Sequence, residues 1–176
     1  MRYFTLRYLL DRSEQDREVQ AARHAIMQSD LIKKILDAQS PKGYWAKPGH
    51  GYSPKYISTD WQILFLAELG ADGNNRIVRR GCEYLLDHAI ASNGGFSAMA
   101  GVPPEGAIYC LNGNLIWALI ELGFAKDERV QRAVDWVTST TLDTDSQDSS
   151  MISGPNFECR INNHLPCAWG AVKSLR

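Results

Sequence analysis

No basic run occurs anywhere in the chain, and its 19 lysines and arginines nearly balance its 20 aspartates and glutamates. A formal net charge of -1 offers a phosphate backbone no attraction, so no nucleic-acid partner is expected. No apolar run approaches the roughly 20 residues of a membrane-spanning helix, and no membrane span is expected. A secretory leader is also missing, because Met1 to Leu10 carries Arg2 and Arg7 without a continuous apolar region. Together these absences point to a cytoplasmic chain. Cysteine is sparse, four in 176 residues, and in such a compartment free thiols or metal ligands outrank structural disulfides.

What is present is helical periodicity. The stretch Cys110 to Gly123 opens on small and polar residues and then runs Leu115, Ile116, Trp117, Ala118, Leu119, Ile120 and Leu122. A helix that is apolar on nearly every side must be covered on every side, and Gly123 supplies its stop. Trp61 to Leu69 is of the same kind and ends at Gly70. Asn74 to Leu86 and Asp127 to Thr138 differ: charged residues point one way and apolar ones the other, as on a surface helix. Another apolar helix begins at Cys167. Residues 1–28 read as a pair of helices, the second capped by Ser13, and a third runs from about Ser29 to Ala38.

These helices recur in order. Leu69-Gly70 matches Leu122-Gly123, Arg76-Ile77 matches Arg129-Val130, and Tyr84-Leu85 matches Trp136-Val137. The period is about fifty residues, longer than the two-helix solenoid repeats of about 33–47 residues. Each unit is an outer helix, a glycine–aromatic loop and an inner helix. One unit cannot bury its own inner helix, so the units must stack side by side. The expected fold is all-α: a helical pair over 1–28, followed by stacked units over 29–176.

The residues Gln39-x3-Gly43-x-Trp45, with Ile35 four positions before the glutamine, resemble the glutamine–tryptophan repeat of squalene-hopene and oxidosqualene cyclases. Arg80-Gly81-x2-Tyr84-Leu85 and Arg132-Ala133-x2-Trp136-Val137 resemble the first half of that repeat. Tyr109-Cys110-Leu111-Asn112-Gly113 is similar to the start of an inner helix in protein prenyltransferase β subunits. The resemblance implies an α/α toroid, here a partial one, with isoprenoid chains held in a central cavity lined by aromatic residues. It also implies a fragment, a partial ring, or a ring completed by self-association, because about three units stand where whole toroids have more. The catalytic sets do not transfer. The acidic Asp-x-Asp-Asp motif of the cyclases is missing, and its nearest counterpart, Asp143-Thr144-Asp145-Ser146, reads as a solvated turn. Where the prenyltransferase zinc histidine would fall stands Gly106.

Two constellations remain as candidate sites. Cys110 and Cys167 fall at the same place on successive inner helices, and Cys159-x4-His164-x2-Cys167 adds further ligands. Cys110, Cys159, His164 and Cys167 together would suit zinc in a closed tetrahedral site, against the simpler reading of small buried thiols. The second constellation is an acidic and aromatic lining: Asp60 with Trp61, Tyr109, Trp117 and Trp169, and Tyr52 and Tyr56 ahead of them. Asp60 heads an inner helix. As a catalytic acid it needs burial to raise its pKa; as an N-cap it needs nothing, and the cap is the favoured reading. The aromatic rings would be core, or a wall that stabilises a cation.

Two functions follow from different classes. One is an isoprenoid-handling protein of the cyclase and prenyltransferase kind, with an apolar small molecule in its cavity. The other is a non-catalytic helical scaffold, zinc-stapled, whose concave face holds a peptide or partner protein.

Overall fold

In the computed structural model, which describes residues 1–99, 106–142, 158–159 and 162–175, three amphipathic helices start at a short polar side chain that caps them. Asp16 caps α2 (Arg17–Met27) by accepting from the backbone N–H groups of Glu18 and Val19. Ser29 caps α3 (Asp30–Asp37), and Asn75 caps α5 (Arg76–His88) in the same way. The expected cap at Ser13 is thus displaced to Asp16; Ser13 instead accepts from the Gln15 N–H in the preceding turn. The first helix, α1 (Arg2–Phe4), runs into a π-helical stretch over Thr5–Leu9 and packs on α2 through Tyr3 and Leu6.

The apolar helices lie side by side. α4 (Thr59–Glu68) packs on α6 (Tyr109–Leu119), and α6 packs on α8 (Ala168–Ser174). α6 extends through a π-helical turn over Ile120–Phe124, where Gly123 takes the left-handed φ of 88° that ends the helix. The amphipathic helices flank this row, α3 and α5 against α4, and α7 (Glu128–Leu142) against α6. The row and its flank enclose one core, in which Ile63, Leu66, Leu85, Leu115, Ala118 and Leu119 are buried. The chain is therefore mostly helical. Among the described residues it departs from all-α at a two-stranded antiparallel ribbon, β1 (Glu158–Cys159) paired with β2 (Leu165–Pro166), and at two isolated antiparallel bridges, Ile90 with Phe96 and Ser97 with Ala107.

The repeat read from the sequence is visible in how the glycine–aromatic loops seat. Gly43, at φ 101°, lies against the Arg80 carbonyl and Tyr84 of α5. Gly94, at φ 93°, lies against Arg132 of α7, the residue that matches Arg80. Both positions need a left-handed backbone, which glycine adopts without a steric penalty. The aromatic wedges then drop into the core: Trp45 donates Nε1–H to the Ile35 carbonyl at 2.7 Å and presses on Gly81, and Phe96 is fully buried. Gln39 closes the first joint, donating to the Ile77 carbonyl and accepting from Arg80 at 2.8 and 2.6 Å. Phe157, the aromatic residue that follows Gly154-Pro155-Asn156 in the sequence, and the Asp143–Ser146 turn lie outside the described residues.

The row of apolar helices is held close by glycine. A Cβ on Gly113 would stand 2.1 Å from the Lys173 carbonyl oxygen, so α8 lies directly on the α6 backbone there. Gly170 returns the contact, its Cβ position 3.1 Å from Tyr109 Cβ and 3.8 Å from the Cys110 nitrogen. Cys110 and Cys167 consequently sit at the starts of adjacent helices, as their matched positions in the repeat require.

Candidate active site

The N-terminal ends of α4, α6 and α8 meet the loop 51–58 around a cavity of about 320 Å³. The loop is tied down by the helix it precedes. Trp61 donates Nε1–H to the Tyr52 carbonyl at 2.9 Å, and Gln62 donates to the Tyr56 carbonyl at 2.8 Å. These bonds bring the rings of Tyr52 and Tyr56 to 5.8 and 4.9 Å from Trp61, centroid to centroid. The result is an aromatic wall with Lys55 at its edge, its Nζ 5.7 Å from the Tyr52 ring. Trp169 of α8 also lines the cavity and is 64% exposed, so it forms part of the rim.

Asp60 lies within this wall and is 1% exposed. Neither carboxyl oxygen has a hydrogen-bond partner. The cap of α4 is Ser58, with Asp60 at the second helical position, and the reading of Asp60 as the N-cap is corrected accordingly. Burial pushes its carboxyl well above the ordinary carboxylate range; its own backbone N–H opposes the shift and is outweighed. Burial thus favours the protonated form of this carboxyl, the form that can donate a proton. Gly51 makes room for it, since a Cβ there would lie 2.1 Å from Asp60 Oδ1. The Asp60 backbone N–H meanwhile donates to the Gly51 carbonyl at 3.2 Å, which fixes the register of loop and helix.

Asn114, which the sequence reading did not single out, lines the same cavity from α6, and its Oδ1 is buried without a partner. A signal existed in spacing. Asp60 and Leu64 are four apart on α4, Cys110 and Asn114 are four apart on α6, and such residues share a helix face. Without knowing which faces meet, that spacing names no cavity.

The predicted residues divide. Asp60, Trp61, Trp169 and Cys110 come together in this cavity. Tyr109 does not line it. It is buried between helices, its ring 5.4 Å from Trp136, and serves as core. Trp117 faces a separate groove of about 840 Å³ with Phe4, Tyr8, Ile116 and Val137. That groove is larger, but Asp60, whose buried carboxyl is orphaned, lines the smaller cavity. A buried polar group without a partner is costly, and such a group on a cavity wall marks chemistry better than volume does.

Of the four proposed metal ligands, Cys110 and Cys167 stand at the starts of adjacent helices. Burial pushes the Cys110 thiol up, and nearby Cys167 and Cys159 push it further. The backbone N–H groups at the start of α6 favour thiolate and are outweighed by desolvation at Cys110. Cys167 Sγ caps α8 by accepting from the Gly170 N–H at 3.3 Å. His164 is exposed and engages Glu158 at 2.6 Å through Nδ1. Among the described residues no three His, Cys, Asp or Glu side chains are arranged to hold a metal ion. Cys82, by contrast, is plain packing, fully buried in the core on α5. His50 is half-buried, and burial lowers its pKa against a hydrogen bond with the Ser97 backbone.

Comparison with known protein families, curated proteins and solved structures finds no significant match to this chain.

Proposed function

We propose that this chain handles isoprenoids in the manner of the squalene cyclases and prenyltransferases, with its stacked units forming part of an α/α toroid. Asp60 acts as the acid. The observation that carries this reading is the buried, unpartnered carboxyl beside the rings of Tyr52, Tyr56 and Trp61. A neutral acid donates a proton to an unsaturated chain, and aromatic faces stabilise the carbocation that results. At about 320 Å³ the cavity sits at the low end of ligand pockets, which run from roughly 300 to 1,000 Å³, and suits a short prenyl chain. The missing Asp-x-Asp-Asp motif weighs less once a single aspartate has the environment of an acid.

The test is titration with a short prenyl hydrocarbon, followed by quenching of tryptophan fluorescence. Saturable binding, weakened in Trp61→Ala and kept in Asp60→Asn, supports the reading. No binding by the wild-type chain sinks it.

The placement of Cys110 and Cys167 at the starts of adjacent helices carries a second reading, a zinc-stapled scaffold for a peptide or partner protein. Metal content of untagged protein separates the two. About one zinc per chain, lost in Cys167→Ser, would support the staple.

A further inference from the structure

Two residues that line the cavity hold buried polar atoms that an olefin cannot satisfy. Burial favours the protonated form of Asp60, which offers one O–H donor, and Asn114 Oδ1 offers an acceptor; neither side-chain atom has a hydrogen-bond partner. Both residues line the cavity, on adjacent helices, among the rings of Tyr52, Trp61 and Trp169. A hydrocarbon would leave both groups unpaired, and an ether would satisfy the donor alone. A hydroxyl satisfies the pair, because its oxygen accepts from Asp60 while its own O–H donates to Asn114.

We infer that the substrate of this site is an allylic prenyl alcohol, held by its hydroxyl between Asp60 and Asn114 and ionised there. This inference rests on the isoprenoid reading above and narrows it. Asp60 transfers its proton to the hydroxyl oxygen. The C–O bond breaks, its electron pair leaves with the oxygen as water, and an allylic cation remains with the Asp60 carboxylate. The rings lower the energy of that cation. Return of water to the cation, with its extra proton passing to Asp60, regenerates the alcohol. Loss of a proton from the adjacent carbon to Asp60 instead gives a conjugated diene. Either route restores the neutral acid, and no oxidant or co-reactant is needed.

The experiment uses the full chain and three probes: geraniol, its methyl ether, and the corresponding hydrocarbon without oxygen. Binding is measured by calorimetry, and exchange of the geraniol oxygen is followed in heavy-oxygen water by mass spectrometry. The expected result is about tenfold tighter binding of geraniol than of the ether, a preference removed in Asn114→Leu. Oxygen exchange is expected in wild-type protein and absent in Asp60→Asn, which still binds. Equal binding of alcohol, ether and hydrocarbon overturns the hydroxyl site and leaves the isoprenoid reading standing. Preferential binding of geraniol without oxygen exchange or diene overturns the ionisation. Failure to bind any of the three overturns the isoprenoid reading and this inference with it. The ether comparison in the wild-type chain keeps the test decisive even where Asn114→Leu does not fold.

Discussion

Asn112 and Asp60 stand on adjacent helices of the same row, 0% and 1% exposed, and differ in everything else. Asn112 uses its amide fully: Oδ1 accepts from the Phe96 N–H at 2.6 Å, and Nδ2 donates to the Phe96 and Ile108 carbonyls at 2.9 Å. Asp60 makes no side-chain hydrogen bond. Asn112 closes the second glycine–aromatic joint, as Thr59 does the first by accepting from the Trp45 N–H at 3.2 Å. A satisfied buried polar group builds the fold, whereas an unsatisfied one weakens it and needs another reason to be there. For Asp60 that reason is the aromatic cavity it lines.

The joints should break hardest. Trp45→Ala removes a buried ring and the Nε1 bond to Ile35, and should cost about 3–5 kcal/mol in denaturant unfolding. A loss below about 1 kcal/mol would mean that the joint does not hold the units together. Asn112→Leu strands the buried Phe96 N–H and C=O and should cost about 2–3 kcal/mol, with faster hydrogen exchange at Phe96 as the local readout. Gly51→Ala acts on the other side of the comparison. It puts a methyl group at φ 92° and 2.1 Å from Asp60 Oδ1, so it should cost about 1–3 kcal/mol and weaken prenyl binding. If binding were unchanged, Asp60 would not be where the ligand sits.

The smallest effect has the opposite sign. Asp60 has a folded pKa raised above its ordinary 3.8, so folding disfavours its ionised form. Its contribution to stability is whole below about pH 3.8 and is lost as pH rises toward the folded value, because the unfolded chain ionises first. Asp60→Asn cannot ionise. It should match the wild type in acid and exceed it by a few degrees in Tm at neutral pH. A variant less stable at neutral pH would place Asp60 among the structural groups, with Asn112.

The repeat explains why the fold was legible. Inner helices at Trp61 and Leu115, amphipathic helices at Arg76 and Arg129, and the stops at Gly70 and Gly123 all follow from local pattern, since periodicity and glycine act over a few residues. The pairing of Cys110 with Cys167 followed from matching the units, because residues matched in successive repeats become neighbours when the units pack. The site was legible in part. Asp60, Trp61 and Trp169 could be named from their places at helix starts. Tyr109 and Trp117 have the same residue chemistry, but packing turns them into the core and into another groove. Asn114 and the lack of a partner for Asp60 were out of reach, since both depend on which helix faces meet. The cap assignment failed for a related reason. A carboxyl near a helix start normally finds free N–H groups, and here Ser58 takes the cap position, leaving Asp60 inside the first turn.

The most direct measurement is a carboxyl-carbon NMR titration of Asp60 in the ligand-free protein. The account predicts a carboxyl whose signal stays unmoved through the ordinary carboxylate range and titrates well above it. A carboxyl that ionises near 3.8 would mean an ordinary, solvated aspartate, and the site would have no acid.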